Sequence, residues 1–469
     1  MTVEPTQKVL VILVEFTNPP PGGPDSRLDL GYFDDMLFGT SYDPSEYAAY
    51  PGHPTDRTLY NYYQEVSYGT VDIVTLNLPS ETGWLQSGHT YDYYCSPDGV
   101  HNYGVGPYPN NAQRLVMDAV MAADPIVDFS QYAIDGEVPN LFVVHAGTGA
   151  EWSLMLSGGV AGPAPNIIWS HSWDLTQGTG MNGYMIDGVK VNYYAMMPEV
   201  GGDLTGYSGM VSGPFPPTVG VYAHEYGHVL GLPDQYDYGY ESTGTGIFSL
   251  MASGIWNRYP DEIIFSGNTP AHLDAWSKTR LGFLDPIEVT NLASVSLPPV
   301  ETDPVVYKMV VPNSGGKEYF LLENRQAIGF DQGLQRPGYW DAHGLAIYHV
   351  DDTVFARNYW YPNEAENWKE FRSEGWRKAW TGETHYAVSL VQADDRWDLE
   401  HARNVGDSGD LYPGQYGVHS FGSKTRPNSS NYYFWAGSAP NFGYSGVTVN
   451  NIQETDSGGI TALLSFIPY

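Results

Sequence analysis

The residue pattern of this 469-residue chain changes near Pro286, and this change most restricts the folds that the chain can adopt. Before it, continuous apolar segments such as 8–16, typical of buried strands, alternate with amphipathic helical segments such as 111–123. Beyond it, short alternating segments are separated by Gly, Pro and Asn, as in β-sandwiches. We therefore predict an α+β fold: a domain of helices and a mixed sheet over residues 1–290, and a mostly β, sandwich-like domain packed on it over residues 291–469.

The charge of the chain excludes two classes of partner. The chain has 21 Lys and Arg against 54 Asp and Glu, a formal net charge of −33 at pH 7, and such a chain is repelled by phosphate-bearing surfaces. For this reason we expect no nucleic-acid partner. We also expect no membrane insertion, because no segment reaches the roughly 18 apolar residues of a membrane helix. The single cysteine, Cys95, excludes an intrachain disulfide framework and a metal site built from several cysteines.

The five residues from His224 to His228 spell HExxH inside a segment, 219–230, that has a helical pattern. Residues four apart lie on the same face of a helix, so both imidazoles can converge on one cation while Glu225 points into the same cleft. The pattern indicates a zinc site in which Glu225 is the general base. The alternative is a pair of structural histidines on an amphipathic helix.

A catalytic zinc needs a third protein ligand and one open position. Gly231, three residues after His228, allows the chain to leave the helix abruptly and to return Asp234 towards the metal. A carboxylate oxygen is an acceptable zinc ligand, and we favour Asp234 on its spacing. Asp237 is the alternative third ligand, and a supporting role behind the ligands also stays open for Asp234.

The segment HEYGHVLGLPDQYD resembles the metzincin pattern HExxHxxGxxH, with Asp in place of the third His. This resemblance implies a zincin-type catalytic domain with a mixed sheet and an active-site helix. In metzincins, a Met on a tight turn forms an apolar floor beneath the zinc ligands. Met251, in FSLMASG, fits that position, and Ser253 and Gly254 permit such a turn. Taken alone, Met251 also fits an ordinary core position.

Together with FSLMASG and LDAWSKTRLGFLDP, this segment looks like the immune inhibitor A-like metallopeptidases, which are secreted microbial zinc proteases. Further similar segments, such as YYQEVSYGTVDI, VVHAGTGAE, GLAIYHVDD and GDSGDLYPG, extend the resemblance over nearly the whole chain. It implies a secreted, extracellular zinc endopeptidase that acts on protein or peptide substrates, and we expect a monomer. The family is made with a signal peptide and a pro-segment; neither is visible in this chain, which implies a mature or trimmed form.

Acidic loop residues indicate a second metal, calcium, which takes about six to eight oxygen ligands. Solvated carboxylates in turns are the alternative. The candidate residues are Asp351, Asp352, Asp394, Asp395, Asp407 and Asp410.

Three further polar residues, His145, Glu151 and His171, follow apolar strands whose ends could face the cleft. The alternative for these three is a structural role as buried polar groups.

These observations predict a zinc-dependent endopeptidase with zinc and calcium as cofactors. Two rivals stay open. One is a non-catalytic cell-surface or adhesive module on a peptidase scaffold. The other is a zinc hydrolase that acts on a non-peptide amide or ester.

Overall fold

The computed structural model describes residues 3–20, 27–42, 54–95, 103–152, 167–203, 214–261, 266–336, 340–364, 386–432 and 443–467. The chain forms two compact units. The first unit comprises Glu4–Tyr63 and Val71–Leu230, and the second comprises Met1–Val3, Gln64–Thr70 and Gly231–Tyr469. The fold is mixed α+β with several sheets, as the sequence predicts at this level of detail.

The elements up to Leu230 include twelve strands in the described ranges: β1 (Thr6–Lys8), β2 (Leu10–Glu15), β3 (Asp72–Val74), β4 (Trp84–Gln86), β5 (Glu137–Val138), β6 (Leu141–Thr148), β7 (His171–Asp174), β8 (Tyr184–Ile186), β9 (Val189–Val191), β10 (Tyr193–Val200), β11 (Gly202–Asp203) and β12 (Pro214–Phe215). The helices there are α1 (Leu30–Phe38), α2 (Leu59–Val66), α3 (Pro79–Thr82), α4 (Tyr91–Cys95), α5 (Ala112–Ala123), α6 (Leu175–Thr179) and α7 (Val219–Val229).

The main sheet of the first unit has five strands in the order β4-β2-β6-β10-β7. Strand β2 pairs in parallel with β4 and β6, and β6 pairs in parallel with β10, whereas β7 joins β10 in antiparallel fashion. Strands β2, β6 and β10 are almost wholly buried, which is why their sequences are continuous apolar runs rather than alternating ones.

Helix α5 covers part of this sheet. It begins after Asn111, whose side chain accepts a hydrogen bond from the N–H of Arg114 and so caps the helix. Its apolar face joins one hydrophobic cluster with the strands β2, β6 and β10. The helical residues in this cluster include Leu115, Val116, Ala119, Val120 and Ala123.

The elements after Gly231 include ten strands in the described ranges: β13 (Ile287–Glu288), β14 (Ala293–Leu297), β15 (Tyr307–Val310), β16 (Glu318–Arg325), β17 (Gln335–Arg336), β18 (Trp340–Asp341), β19 (Gly344–Asp351), β20 (Val388–Leu390), β21 (Val447–Glu454) and β22 (Ile460–Phe466). The helices there are α8 (Ala275–Leu281) and α9 (Asp352–Arg357). One five-stranded sheet has the order β13-β15-β16-β19-β20, and a three-stranded sheet has the order β14-β22-β21. A single hydrophobic cluster contains side chains from both sheets, among them Leu297, Phe320, Ile347, Val449 and Ile460.

The segment 231–290 belongs to the same compact unit as the later strands. A buried ionic cluster links this segment to the later strands: Lys278 of α8 lies 3.8 Å from the carboxylate of Glu323 in β16. The guanidinium of Arg325 lies 3.1 Å from Glu323 and 2.7 Å from Asp331, and all four side chains are fully buried. Separating such partners would leave unpaired charges in the interior. The domain division at residue 290 stays a prediction, since compactness does not test independent folding.

The helices of the described ranges are short, and the longest, α5, has 12 residues. None of them has the length and apolar character that a bilayer crossing requires. Helix α8 begins at Ala275 because the carboxylate of Asp274 accepts hydrogen bonds from the N–H groups of Trp276 and Ser277 and so caps the helix there.

Candidate metal centre

Helix α7 carries two of the three candidate ligands. It ends one residue earlier than predicted, and all but its C-terminal end is buried. The hydroxyl of Tyr222 donates a 2.8 Å hydrogen bond to the carbonyl oxygen of Pro198, which attaches the helix to β10. Beyond the helix, Gly231 has a φ of 97°, in the left-handed region that glycine favours. The chain therefore changes direction three residues before Asp234.

His224 and His228 lie one turn apart on α7, with their Nε2 atoms separated by 3.1 Å. The two ring centroids are 4.7 Å apart and the ring planes make an angle of 85°. Two imidazole nitrogens that bind one zinc ion at about 2.0–2.1 Å with tetrahedral angles lie about 3.3–3.4 Å apart. The observed separation therefore fits two ligands of a shared cation.

Asp234 completes a group of three potential ligands. One ligand atom from each of His224, His228 and Asp234 lies within 4.8 Å of the other two. Asp234 is only 4% exposed, and its carboxylate accepts a hydrogen bond from the hydroxyl of Tyr238. Tyr238 is a contact that the sequence does not single out; its spacing of four residues from Asp234 is the available signal.

Asp237, the alternative third ligand, is also buried. Its carboxylate accepts a 2.7 Å hydrogen bond from the N–H of Gly239, as in an ordinary turn. It does not belong to the potential metal group that the described residues form around the two histidines. The geometry thus favours Asp234, and the assignment of the third ligand stays a prediction.

Glu225 directly follows His224 in α7 and is 5% exposed. A carboxylate shielded from solvent beside an imidazole pair is a suitable position for a proton acceptor. Its catalytic role depends on a water molecule and a substrate, so it stays a prediction.

Met251 is fully buried within a tight turn. The turn is closed by a 3.1 Å hydrogen bond from the N–H of Ala252 to the carbonyl oxygen of Ser249. The carbonyl oxygen of Met251 accepts a 2.8 Å hydrogen bond from the N–H of Gln235, the residue after Asp234. The predicted turn is therefore present and is tied to the segment of the third ligand, while the role of Met251 as a floor beneath the metal stays a prediction.

His145, Glu151 and His171 have contacts that favour the structural alternative. His145 Nδ1 lies 3.0 Å from the carbonyl oxygen of Ala146, and Glu151 accepts hydrogen bonds from the N–H and hydroxyl of Ser170. His171 Nε2 lies 2.9 Å from the hydroxyl of Tyr194. Burial lowers the pKa of His145 and that of His171 to about 4, so both imidazoles are neutral at pH 7.

A second potential metal group contains Asp394, Asp398 and Asp407, with one oxygen of each within 4.8 Å of the others. Asp394 has a side chain that is only 2% exposed, and burial, followed by the charge of Asp407, raises its pKa. Two guanidiniums offset part of this negative charge: Arg396 lies 3.4 Å from Asp394, and Arg403 lies 3.2 Å from Asp398. Asp394 and Asp407 are among the residues predicted from the sequence, whereas Asp398 is not; its DxxxD spacing from Asp394 is the available signal.

The other acidic candidates have separate partners in the structure. Asp410, nearly fully buried, accepts a 2.7 Å hydrogen bond from the N–H of Asp407, so it supports the loop of the acidic group. The remaining contacts are those of Asp395 with Trp397 Nε1, of Asp351 with the N–H of Thr353 at the start of α9, and of Asp352 with the hydroxyl of Tyr319.

Comparison with known proteins matches the sequence of this chain to a peptidase family. Residues 2–283 match the family model described as the immune inhibitor A peptidase M6 catalytic domain. The pre-pro-metalloprotease PrtV of Vibrio cholerae serotype O1 is 28% identical over 305 residues, which cover 59% of this chain and 30% of that protein. Immune inhibitor A of Bacillus thuringiensis is 33% identical over 279 residues, which cover 53% of this chain and 36% of that protein. The chain thus spans about a third of the length of these curated relatives.

Proposed function

The chain belongs to the immune inhibitor A peptidase M6 family, and on this premise we propose that it is a secreted, zinc-dependent endopeptidase. That membership confirms the resemblance seen in the sequence. The observation that carries the proposal is the convergence of His224, His228 and Asp234 within one segment of eleven residues. Protein or peptide substrates and an extracellular location follow from the same proposal.

The donor set fits zinc better than it fits a hard cation. Two imidazole nitrogens and one carboxylate are a ligand set found in catalytic zinc sites, whereas calcium and magnesium prefer oxygen ligands throughout. In this proposal His224, His228 and Asp234 hold the ion, and one position is left for substrate or water. When bound, zinc would act as a Lewis acid and would make water a competent nucleophile near neutral pH.

The residues of the chain supply the remaining steps of the proposed reaction. Glu225 accepts a proton from the attacking water and donates it to the amine that leaves when the peptide bond breaks. The hydroxyl of Tyr238 fixes the orientation of Asp234 through its hydrogen bond to that carboxylate.

We extend the proposal to the architecture and to the second metal. A zincin-type sheet is supported by the parallel strands β4, β2, β6 and β10 with the antiparallel strand β7 at the edge. A sandwich-like arrangement after residue 290 is supported by the hydrophobic cluster that β14, β21 and β22 share with the five-stranded sheet. For calcium, the group of Asp394, Asp398 and Asp407 is the best-supported position among the described residues.

The test is hydrolysis of casein and of a fluorogenic peptide library by the chain and by Glu225→Ala, with zinc content measured in parallel. We expect Glu225→Ala to lose peptide hydrolysis while zinc stays near one per chain, because Glu225 is not a ligand in this scheme. Glu288→Ala, which changes an exposed Glu in β13, is the control and should behave like the unsubstituted chain.

Three other outcomes would contradict the proposal in different ways. Hydrolysis that survives in Glu225→Ala would remove that residue from its role. Zinc binding without any hydrolysis would favour a non-catalytic module on a peptidase scaffold. Cleavage of non-peptide amides or esters without cleavage of peptides would favour a zinc hydrolase that acts on such compounds.

A further inference from the structure

Gln235, the residue that follows the proposed third ligand, makes hydrogen bonds through both its main chain and its side chain. Gln235, directly after Asp234, is fully buried. Its N–H donates to the carbonyl oxygen of Met251 at 2.8 Å, and its side-chain Nε2 donates to the hydroxyl of Ser277 at 2.9 Å. Its side-chain oxygen accepts a 3.0 Å hydrogen bond from the hydroxyl of Thr245. Its main-chain carbonyl oxygen accepts a 3.1 Å hydrogen bond from the N–H of Thr245. Both the main chain and the side chain of Gln235 are therefore fixed.

The two hydrogen bonds that Gln235 donates belong to a closed ring of hydrogen bonds that includes the carboxylate of Asp274. The hydroxyl of Ser277 donates to Asp274 Oδ2 at 2.7 Å. On the opposite side, the N–H of Met251 donates to the hydroxyl oxygen of Ser249 at 3.2 Å, and that hydroxyl donates to the same Oδ2 at 2.8 Å. Five hydrogen bonds thus form a ring in which every member is fully buried.

The carboxylate of Asp274 determines which groups in this ring donate and which accept. Its other oxygen, Oδ1, accepts hydrogen bonds of 3.0 and 3.1 Å from the N–H groups of Trp276 and Ser277 at the start of α8. The carboxylate therefore accepts four hydrogen bonds, two on each oxygen. Because both hydroxyls donate to Oδ2, the Ser277 oxygen has its lone pairs left for the side-chain amide of Gln235, and the Ser249 oxygen has its own left for the N–H of Met251.

We propose that Asp274 is a positioning residue for the metal centre, acting through Ser277 and Ser249 to fix Gln235 and hence the backbone from which the Asp234 carboxylate extends. This inference rests on the proposed function, since it takes Asp234 as a metal ligand. The ring restricts the peptide unit between Asp234 and Gln235, because that unit supplies the N–H bound to Met251. A ligand on a restricted backbone loses little freedom when it binds a cation, so breaking the ring should weaken metal binding.

The test compares two Ser→Ala substitutions at fully buried sites in the full 469-residue chain. Ser277→Ala opens the ring, whereas Ser429→Ala removes a comparable hydroxyl whose 2.7 Å hydrogen bond to the carbonyl oxygen of Val447 has no link to the ring. The zinc dissociation constant is measured by competition with a chromophoric chelator, and the visible spectrum is recorded with cobalt as the only metal. Urea unfolding reports the stability of each variant.

We expect Ser277→Ala to weaken zinc binding at least about tenfold and to shift the cobalt bands, and Ser429→Ala to match the unsubstituted chain in both measurements. Ser249→Ala opens the ring from the other side and should reproduce the effect, which also covers the case in which Ser277→Ala does not fold. Zinc affinity within twofold of the unsubstituted chain in both ring variants would overturn the inference, as would an equal loss in Ser429→Ala. Failure of the proposed function has a different signature, namely a chain that binds zinc with the expected ring dependence but cleaves no peptide.

Discussion

The buried imidazole of His145 predicts that the chain loses stability in mild acid. His145 is fully buried in β6, and its Nδ1 lies 3.0 Å from the carbonyl oxygen of Ala146, which makes Nδ1 the protonated nitrogen of the neutral ring. The other nitrogen, Nε2, is buried without a hydrogen-bond partner among the described residues. Protonation would therefore put a charged N–H group where nothing accepts it, and burial accordingly lowers the pKa of His145 from 6.5 to about 4.

The size and sign of the effect follow from this pKa. Because the pKa of His145 is lower in the folded state than in the unfolded state, its contribution to the free energy of unfolding is fully present above pH 6.5. This contribution is lost as the pH falls from 6.5 through about 4. A tenfold change in proton affinity corresponds to about 1.4 kcal/mol, so the complete loss amounts to about 3 kcal/mol, of which about 2 kcal/mol is already lost at pH 5.

The assay is urea unfolding of the chain and of His145→Asn at pH 7, 6 and 5. The side-chain amide of Asn can donate to the carbonyl oxygen of Ala146 as Nδ1 does, but it does not titrate. We expect the variant to be less stable than the unsubstituted chain at pH 7, because a smaller side chain leaves a cavity, and to recover about 2 kcal/mol relative to it at pH 5. Val144→Ala, a cavity variant in the same strand, should be destabilised equally at every pH. If the chain and His145→Asn lose the same free energy between pH 7 and pH 5, the reasoning about His145 is wrong.

Two further predictions concern the metals. Asp234→Ala should lose most zinc affinity while Asp237→Ala keeps it, as measured by equilibrium dialysis; the reverse order would make Asp237 the third ligand. A calcium-selective chelator should lower the melting temperature of the chain, and Asp407→Asn should remove this response while Asp395→Asn, whose carboxylate bonds to Trp397, retains it. A melting temperature that the chelator leaves unchanged would argue against calcium.

The sequence was most informative where local physics dominates. The continuous apolar segment 8–16 predicted the buried strand β2. The spacing of four residues placed His224 and His228 on one helix face because helix geometry requires it. The family resemblance was also correct.

Features that depend on contacts between distant residues could not be predicted. Asp398 joins Asp394 and Asp407 only through the path of their loop, and the spacing in the sequence does not determine that path. The contact of α8 with β16 includes the pairing of Lys278 with Glu323, 45 positions apart. A periodic pattern in the sequence does not predict such a buried ion pair. For the same reason the ring around Asp274 is visible only in three dimensions.

The parallel pairing of β2 has a consequence for the order in which the chain folds. Leu10 pairs with Leu141, and β10 then adds to β6 from still further along the chain. Closing such long loops costs entropy before any contact compensates for it, so this sheet forms slowly and leaves apolar strand edges exposed in the meantime. Helix α7 is hydrogen-bonded to β10, so we expect its two histidines to reach their final geometry only after this non-local sheet has assembled. We therefore expect the metal-binding geometry to be acquired late in folding.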